Sequence, residues 1–465
     1  MKKILFIALA FAALSGSLEA RNVTGKVVSG SQKLSGVVVT DGTNFTQTKK
    51  NGTFAFEIKD DADFVYIITP SGYVAEWSAG SPAFYQKAEG KTEFVFDLLK
   101  TQSPDVYNII AVGDPQPKAE EHFEEFAGVP LDDIAQTAAA LEGMTIGIPL
   151  GDICYDRLHL QKRWKEEIVR AKVPFYPCIG NHDHDQKYKS EPEALMGYRE
   201  NFGPENYAVF LGNDIMIVLD NIIYKGRSNY KEGYTDAILA WVKGLMTYVP
   251  ANADIYVIQH SPLNGRNNKK MVIGHQEMLD ILAGHKINFV SGHNHTAGNF
   301  EYSETAREHN VAAICGTWWD TYHCTDGTPR GYKVFTKKDG AITWYYKSIS
   351  RDKSFQFEVF KPGECRINKS SVVVNVWDYD PCWRVEWFED GVYMGIMPQV
   401  YEYNPIHTRD LEAKYKPLGR TPSEYRHTRA AKHFFAIEPA EQTKECMIKV
   451  TDRFGNVMTE TVVLK

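Results

Sequence analysis

Five short apolar runs in this chain each stop at a cluster of Gly, Asp, Asn, Gln, Ser or His, and that recurrence limits the fold more than any other feature. Tyr107 to Val112 ends in Gly113-Asp114-Pro115-Gln116. Thr145 to Leu150 ends in Gly151-Asp152, and Val173 to Ile179 ends in Gly180-Asn181-His182-Asp183. Ile255 to Ile258 leads into Gln259-His260, and Ile287 to Val290 into Ser291-Gly292-His293-Asn294-His295. Short apolar runs bounded by turn residues read as buried strands. Between them, Leu131 to Met144, His159 to Lys172, Glu191 to Phe202 and Thr235 to Tyr248 carry helical patterning. Strands alternating with helices make an α/β sheet, whose ligand-binding edge lies at the carboxyl ends of the strands. Turns at Gly212-Asn213-Asp214 and Lys338-Asp339-Gly340 add two hairpins, so some strands are antiparallel. A lone His-x-His such as His293 and His295 is often only a surface pair. Five strand ends that all supply oxygen or imidazole donors point instead to a metal site.

Asp-x-Gln, Gly-Asp, Gly-Asn-His-Asp, a single His and Gly-His-x-His, in that order over residues 114–295, resemble the calcineurin-like metallophosphoesterases. The resemblance implies a four-layer α/β/β/α sandwich that holds two divalent metal ions, Mn, Fe, Zn or Mg. Carried onto this chain, it puts Asp114, Gln116, Asp152 and His295 on the first ion. Asp152 would bridge, and Asn181, His260 and His293 would hold the second. Asn181 and His182 would face the substrate, with His182 the general acid and Asp156 the carboxylate that orients its ring. Asp156 as a plain loop carboxylate is the alternative, and Arg157 reads as an exposed arginine.

The residue types suit such chemistry. Two divalent ions neutralise phosphoryl oxygens and lower the pKa of a bridging water, so that hydroxide can attack phosphorus. Asp114 and Asp152 oppose the ions' four positive charges with only two negative ones, which leaves the site attractive to phosphate. Much of the family has histidine where this chain has Gln116, a harder and less basic donor. The first site should then differ in metal preference, unless Gln116 points away.

The ends of the chain read differently. Lys2-Lys3, the apolar run Ile4 to Leu14 and the mostly small residues up to Ala20 predict a signal peptide over 1–20, hence a periplasmic or secreted protein. That run is too short for a comfortable membrane span, and none follows. Residues 21–100 alternate short strands with Gly, Asn and Asp turns and predict a β-sandwich, similar to transthyretin-like and carboxypeptidase-regulatory-like modules. Residues 105–350 would form the metallophosphoesterase unit, and 355–465 a second all-β sandwich with an irregular stretch at 398–430. This order resembles exported phosphoesterases of the Bacteroidetes type.

A net charge of −7 speaks against a nucleic-acid partner. Seven cysteines leave at least one thiol free, and Cys154 and Cys178, near motif ends, read as buried thiols. Asp60-Asp61-Asp63 reads as a solvated turn rather than a calcium site, and His275, His309 and His323 as surface or packing residues. A strand from Asn310 to Ile314 leads to Trp318 and Trp319, which either wall a substrate pocket or pack a domain interface. Together these residues predict a binuclear hydrolase of a small phosphorylated substrate, a phosphomonoesterase first and a phosphodiesterase second. A non-catalytic surface binding protein is the third reading; the intact set Asn181, His182, His260, His293 and His295 opposes it.

Overall fold

A computed structural model describes residues 20–101, 105–266 and 269–465. The expected signal peptide, but for Ala20, lies outside the described residues. Two sheets form the centre. In the first, strand Tyr107–Val112 pairs in parallel with Met144–Pro149 and antiparallel with Gly331–Lys338, and Ala341–Ser348 closes the order. The second runs Tyr207–Leu211, Asp214–Val218, Asp254–Ile258, Lys286–Ser291, Ala306–Asn310, Gly298–Glu301. Its three inner pairings, from Asp214–Val218 to Ala306–Asn310, are parallel. Strands such as Tyr107–Val112, Met144–Pro149 and Asp254–Ile258 are buried along their whole length, as strands covered on both faces must be. The sheets face each other through Tyr107, whose hydroxyl donates to Asp214 Oδ2 at 2.7 Å and whose ring lies 6.2 Å from that of Tyr256. Helices Val129–Ala140, Leu160–Ile168, Glu191–Phe202 and Asp236–Met246 connect the strands. The result is an α/β sandwich built on two facing sheets.

Four expectations need correction. Val173 to Ile179 is not a regular strand: it runs beside Met144–Pro149 and pairs only at Phe175 and Cys178. Pro174, and Pro149 on the facing strand, have no N–H to give, so the ladder is interrupted on either side of Phe175. The helix expected to reach Met144 ends at Ala140, because Leu141 is extended and Gly143 turns at φ +84° into the strand that starts at Met144. The strand placed at Asn310 to Ile314 is Ala306–Asn310, after which the chain pairs only at Ala313, with Gly113. The stretch 398–430 is not structureless. It holds strand Gln399–Glu402 and helix Pro405–Tyr415, capped by the Asn404 side chain on the His407 N–H.

Residues 20–100 form a five-stranded and a four-stranded sheet. They dock on the core through the Phe45–Trp241 ring pair at 5.9 Å, a 2.9 Å bond from the Phe210 N–H to the Thr69 carbonyl, and the Arg199–Asp63 ion pair at 2.6 Å. That pair, with Arg21 on Asp60 at 3.1 Å, engages two carboxylates of the acidic turn. Two four-stranded sheets follow residue 357. They are tied to the core by buried Lys333, 2.7 Å from Asp378. All seven cysteines are free thiols, Cys154 and Cys178 among the buried ones. His309 and His323 are buried, and no helix among the described residues is long and apolar enough to cross a membrane.

Candidate active site

The motif residues meet at one edge of the two sheets. Five of them, Asp114, Gln116, Asp152, His293 and His295, hold φ between 40° and 67°. Each such left-handed residue costs about 1–3 kcal/mol, a strain that persists where the surroundings over-determine the backbone. Hydrogen bonds do that here. Asp152 Oδ1 accepts the His182 N–H at 2.9 Å, and Asp114 Oδ2 accepts the His293 N–H at 2.8 Å. Two glycines let the loops close: a Cβ on Gly180 would lie 2.3 Å from Asp152 Oδ1, and one on Gly292 2.5 Å from Asp114 Oδ2. Buried Asp183 locks the Asn181 loop by accepting the N–H groups of Gly180 and Ile153.

His260 and His293 show what the site needs. His260 Nδ1 donates to the Leu150 carbonyl at 2.7 Å, so in the neutral ring Nε2 is a bare acceptor. His293 Nε2 donates to Glu232 Oε1 at 3.1 Å, so its Nδ1 is bare as well. These two bare nitrogens face each other at 3.0 Å. Asn181 Oδ1 lies 3.1 Å and Asp152 Oδ1 3.3 Å from the same His260 nitrogen. Four acceptors converging on one point repel unless a cation sits among them. Without one, burial opposes charge on His260, but the Asp152 carboxylate outweighs it and pushes the ring up to about 9. Asp152, His260 and His293 have ligand atoms all within 4.8 Å of one another.

A second set of acceptors adjoins the first. Asp114 Oδ1 and Gln116 Oε1 are buried and accept no hydrogen bond. Orphaned buried oxygens of this kind are costly, and a bound cation satisfies them. Gln116 Nε2 donates to Asp152 Oδ2 at 2.5 Å, which turns Oε1 the other way. His295 Nε2 lies 3.3 Å from Asp114 Oδ1. Burial again opposes charge, and Asp114 lifts His295 to about 10. The donor set therefore fits two adjacent ions with Asp152 between them.

His182 stands beside this centre. Its Nδ1 is 2.8 Å from Asp156 Oδ1, which also accepts from Gln186 Nε2 at 2.7 Å. Tyr155 stacks on the His182 ring at 4.2 Å. Burial disfavours its charge, yet Asp152 and Asp156 together raise its pKa.

A cavity of about 560 Å³ opens over these groups. Trp318 lines it, with its ring 4.6 Å from His295. Trp319 does not, which corrects its placement as a substrate-binding residue. It is buried against Phe126, under the Arg330 guanidinium, and its indole N–H donates to the Pro115 carbonyl at 3.0 Å. Lys118, Arg227, Arg266 and Arg426 put four cations on the cavity wall. Ser423, Tyr425 and Arg426 come from the stretch that the sequence left irregular. Arg426 is held by Asp320, which also accepts from the Tyr415 hydroxyl at 2.7 Å, and it lies over Trp318. None of these was legible in advance. Glu232 was missed too: it lies on the short hairpin strand Tyr230–Glu232, and a lone Glu there gives no signal.

Three family matches together cover most of the described chain. Residues 107–297 match calcineurin-like phosphoesterase, 21–101 the N terminal of calcineurin-like phosphoesterase, and 308–458 the C terminal of the same. The chain belongs to the calcineurin-like phosphoesterase family. A probable glycerophosphodiester phosphodiesterase of Arcobacter nitrofigilis is 27% identical over 143 residues, 29% of this chain and 50% of that relative. This calcineurin-like chain thus matches about half the length of that curated relative. Among solved structures, a dimetal phosphatase from Danio rerio aligns at 15% identity and TM-score 0.39, over 52% of this chain and 96% of that one. A purple acid phosphatase from yellow lupin (Lupinus luteus) aligns at 12% identity and TM-score 0.38, over 68% and 67%. The family uses a dimetal centre, and the segment matched as its C terminal supplies Trp318 and Arg426 to the cavity.

Proposed function

We propose that this protein is an exported phosphoric ester hydrolase that acts on a small phosphorylated substrate, a phosphomonoester first. The convergence of bare acceptors around Asp152, His260 and His293 carries the reading. Asp114, Gln116, Asp152 and His295 would hold one ion, and Asp152, Asn181, His260 and His293 the other. Two divalent ions there supply the Lewis acid that activates water and neutralises a phosphoryl group. The chain's own residues do the rest. His182, oriented by Asp156, protonates the leaving oxygen. Lys118, Arg227, Arg266 and Arg426 favour an ester with two negative charges over one with a single charge. A diester is the second reading, favoured by the relative named as a probable glycerophosphodiester phosphodiesterase.

Metal choice follows from the ligands. Imidazoles suit Zn, Fe or Mn, and the oxygen of Gln116 shifts the first site toward harder ions. Export rests on Lys2-Lys3 and Ile4 to Leu14, with a mature chain that starts near Arg21. Assay of the mature protein on monoester, diester, pyrophosphate and phospholipid panels, each with several metals, tests the activity. Monoesters should give the highest kcat/KM. Faster turnover of diesters would transfer the assignment to the second reading, and no hydrolysis by metal-loaded protein would end both.

A further inference from the structure

Away from the cavity, His184, Glu191 and Asp220 bring one ligand atom each within 4.8 Å of one another. Three separate elements supply them. His184 follows the Asn181 loop, Glu191 opens helix Glu191–Phe202, and Asp220 lies just past strand Asp214–Val218. His184 and Asp220 are buried, and Glu191 is half-buried.

His184 is set up as a ligand. Its Nδ1 donates to the Gly180 carbonyl at 3.0 Å, so Nε2 carries the lone pair in the neutral ring. A histidine that binds metal through one nitrogen usually anchors the other in this way. The Nε2 atom is fully buried, makes no hydrogen bond, and sits 3.5 Å from Asp220 Oδ2. Tyr224 stacks on the ring at 5.1 Å and an interplanar angle of 10°, which fixes its direction. Asp220 Oδ1 already accepts the Ile222 N–H at 2.9 Å, leaving Oδ2 to face the imidazole. Glu191 adds a second carboxylate, and burial together with Asp220 pushes it up to about 7. With the ring neutral and both carboxyls ionised, the three are acceptors with no donor among them, poorly matched to each other and well matched to a cation.

We propose that His184, Glu191 and Asp220 hold a third divalent ion, separate from the dimetal centre. One nitrogen and two carboxylates suit Zn or Mn, and bonds of about 2.0–2.4 Å span a ligand set of this size. The ion's role is structural. Through the Gly180 carbonyl it fastens the loop that presents Asn181 and His182 to the start of a helix and the end of a strand.

Metal content of the whole protein equilibrated with Zn²⁺ or Mn²⁺, together with anomalous diffraction at the metal edge, tests the site. Three ions per chain are expected, with a peak between the three side chains. Asp220→Asn and Glu191→Gln should each lower the count from three to two and lower Tm, with both cleft ions kept. Glu191 is half-exposed, so its variant should fold even where Asp220→Asn does not. Two ions per wild-type chain with no peak at His184 would overturn the proposal in favour of a protonated His184 paired with Asp220. That outcome leaves the hydrolase reading intact, because the cleft ions are counted separately.

Discussion

The floor of the cavity and its wall are built by opposite means. Floor residues Asp114, Asp152, Asn181, His260 and His293 sit in short turns at the ends of β-strands or the extended 173–179 segment, and the buried carboxylates and rings are fixed by named hydrogen bonds. Wall residues Trp318, Tyr425 and Arg426 sit in loops and short 3₁₀ turns, and Arg426 reaches the site from beyond helix Pro405–Tyr415. Turns at the strand ends place the groups of the floor, while loops shape the approach to them. The two regions should therefore fail differently: floor changes through metal binding and kcat, wall changes through KM.

The largest separation is expected at His182, which belongs to neither region fully. It stands beside the acceptors that converge on His260 but contributes none of them. General acid help is worth roughly 10²–10⁴ in rate. His182→Ala should lose that much on alkyl phosphates, whose leaving group is a strong base, and little on p-nitrophenyl phosphate. Metal content should stay at the wild-type level. An equal loss on all leaving groups would mean that His182 binds or orients; a loss of metal would place it in the floor.

Floor and wall also differ in how far the sequence reveals them. A strand followed by Gly-Asp or Gly-Asn-His is a local pattern, so the residues that converge in the cleft and the α/β core could be read directly. The run Val173 to Ile179 misled only because two prolines deny it a ladder without moving it from the sheet edge. Trp318 and Trp319 are adjacent in sequence and look equivalent, yet left-handed backbone at both sends one ring to His295 and buries the other under Arg330. Arg426 shares no periodicity with its neighbours, and its place depends on Asp320 and Tyr415. Tertiary contacts of this kind leave no mark on a single sequence.

Glu232 gives the next effect in size. It takes no direct part in the cluster of acceptors but holds His293 in the tautomer that aims Nδ1 inward. Partners of this kind are worth about 10–100-fold in metal affinity. Glu232→Ala should weaken one of the two cleft ions by that factor and spare the one held at Asp114 and His295. Competition with a graded series of chelators measures both. Equal weakening of the two ions would show that Glu232 supports the fold of the cavity rather than one ring.

Arg426 gives the smallest effect and the sharpest test of the wall. Its charge is shared with Asp320, so only part of it is available to a substrate. Partly exposed pairs of this type contribute about 0.2–1 kcal/mol, roughly fivefold at most. Arg426→Met keeps the bulk over Trp318 and removes the charge. KM for a dianionic monoester should rise by up to about fivefold, with kcat and metal content unchanged. Because the interaction is screened, the difference between variant and wild type should shrink as salt approaches about 1 M, where the Debye length is about 3 Å. A drop in kcat instead of a rise in KM would show that Arg426 acts at the reacting phosphate, and the line drawn between floor and wall would then have to move to include it. A KM difference that ignores salt would point to lost packing on Trp318, with charge playing no part.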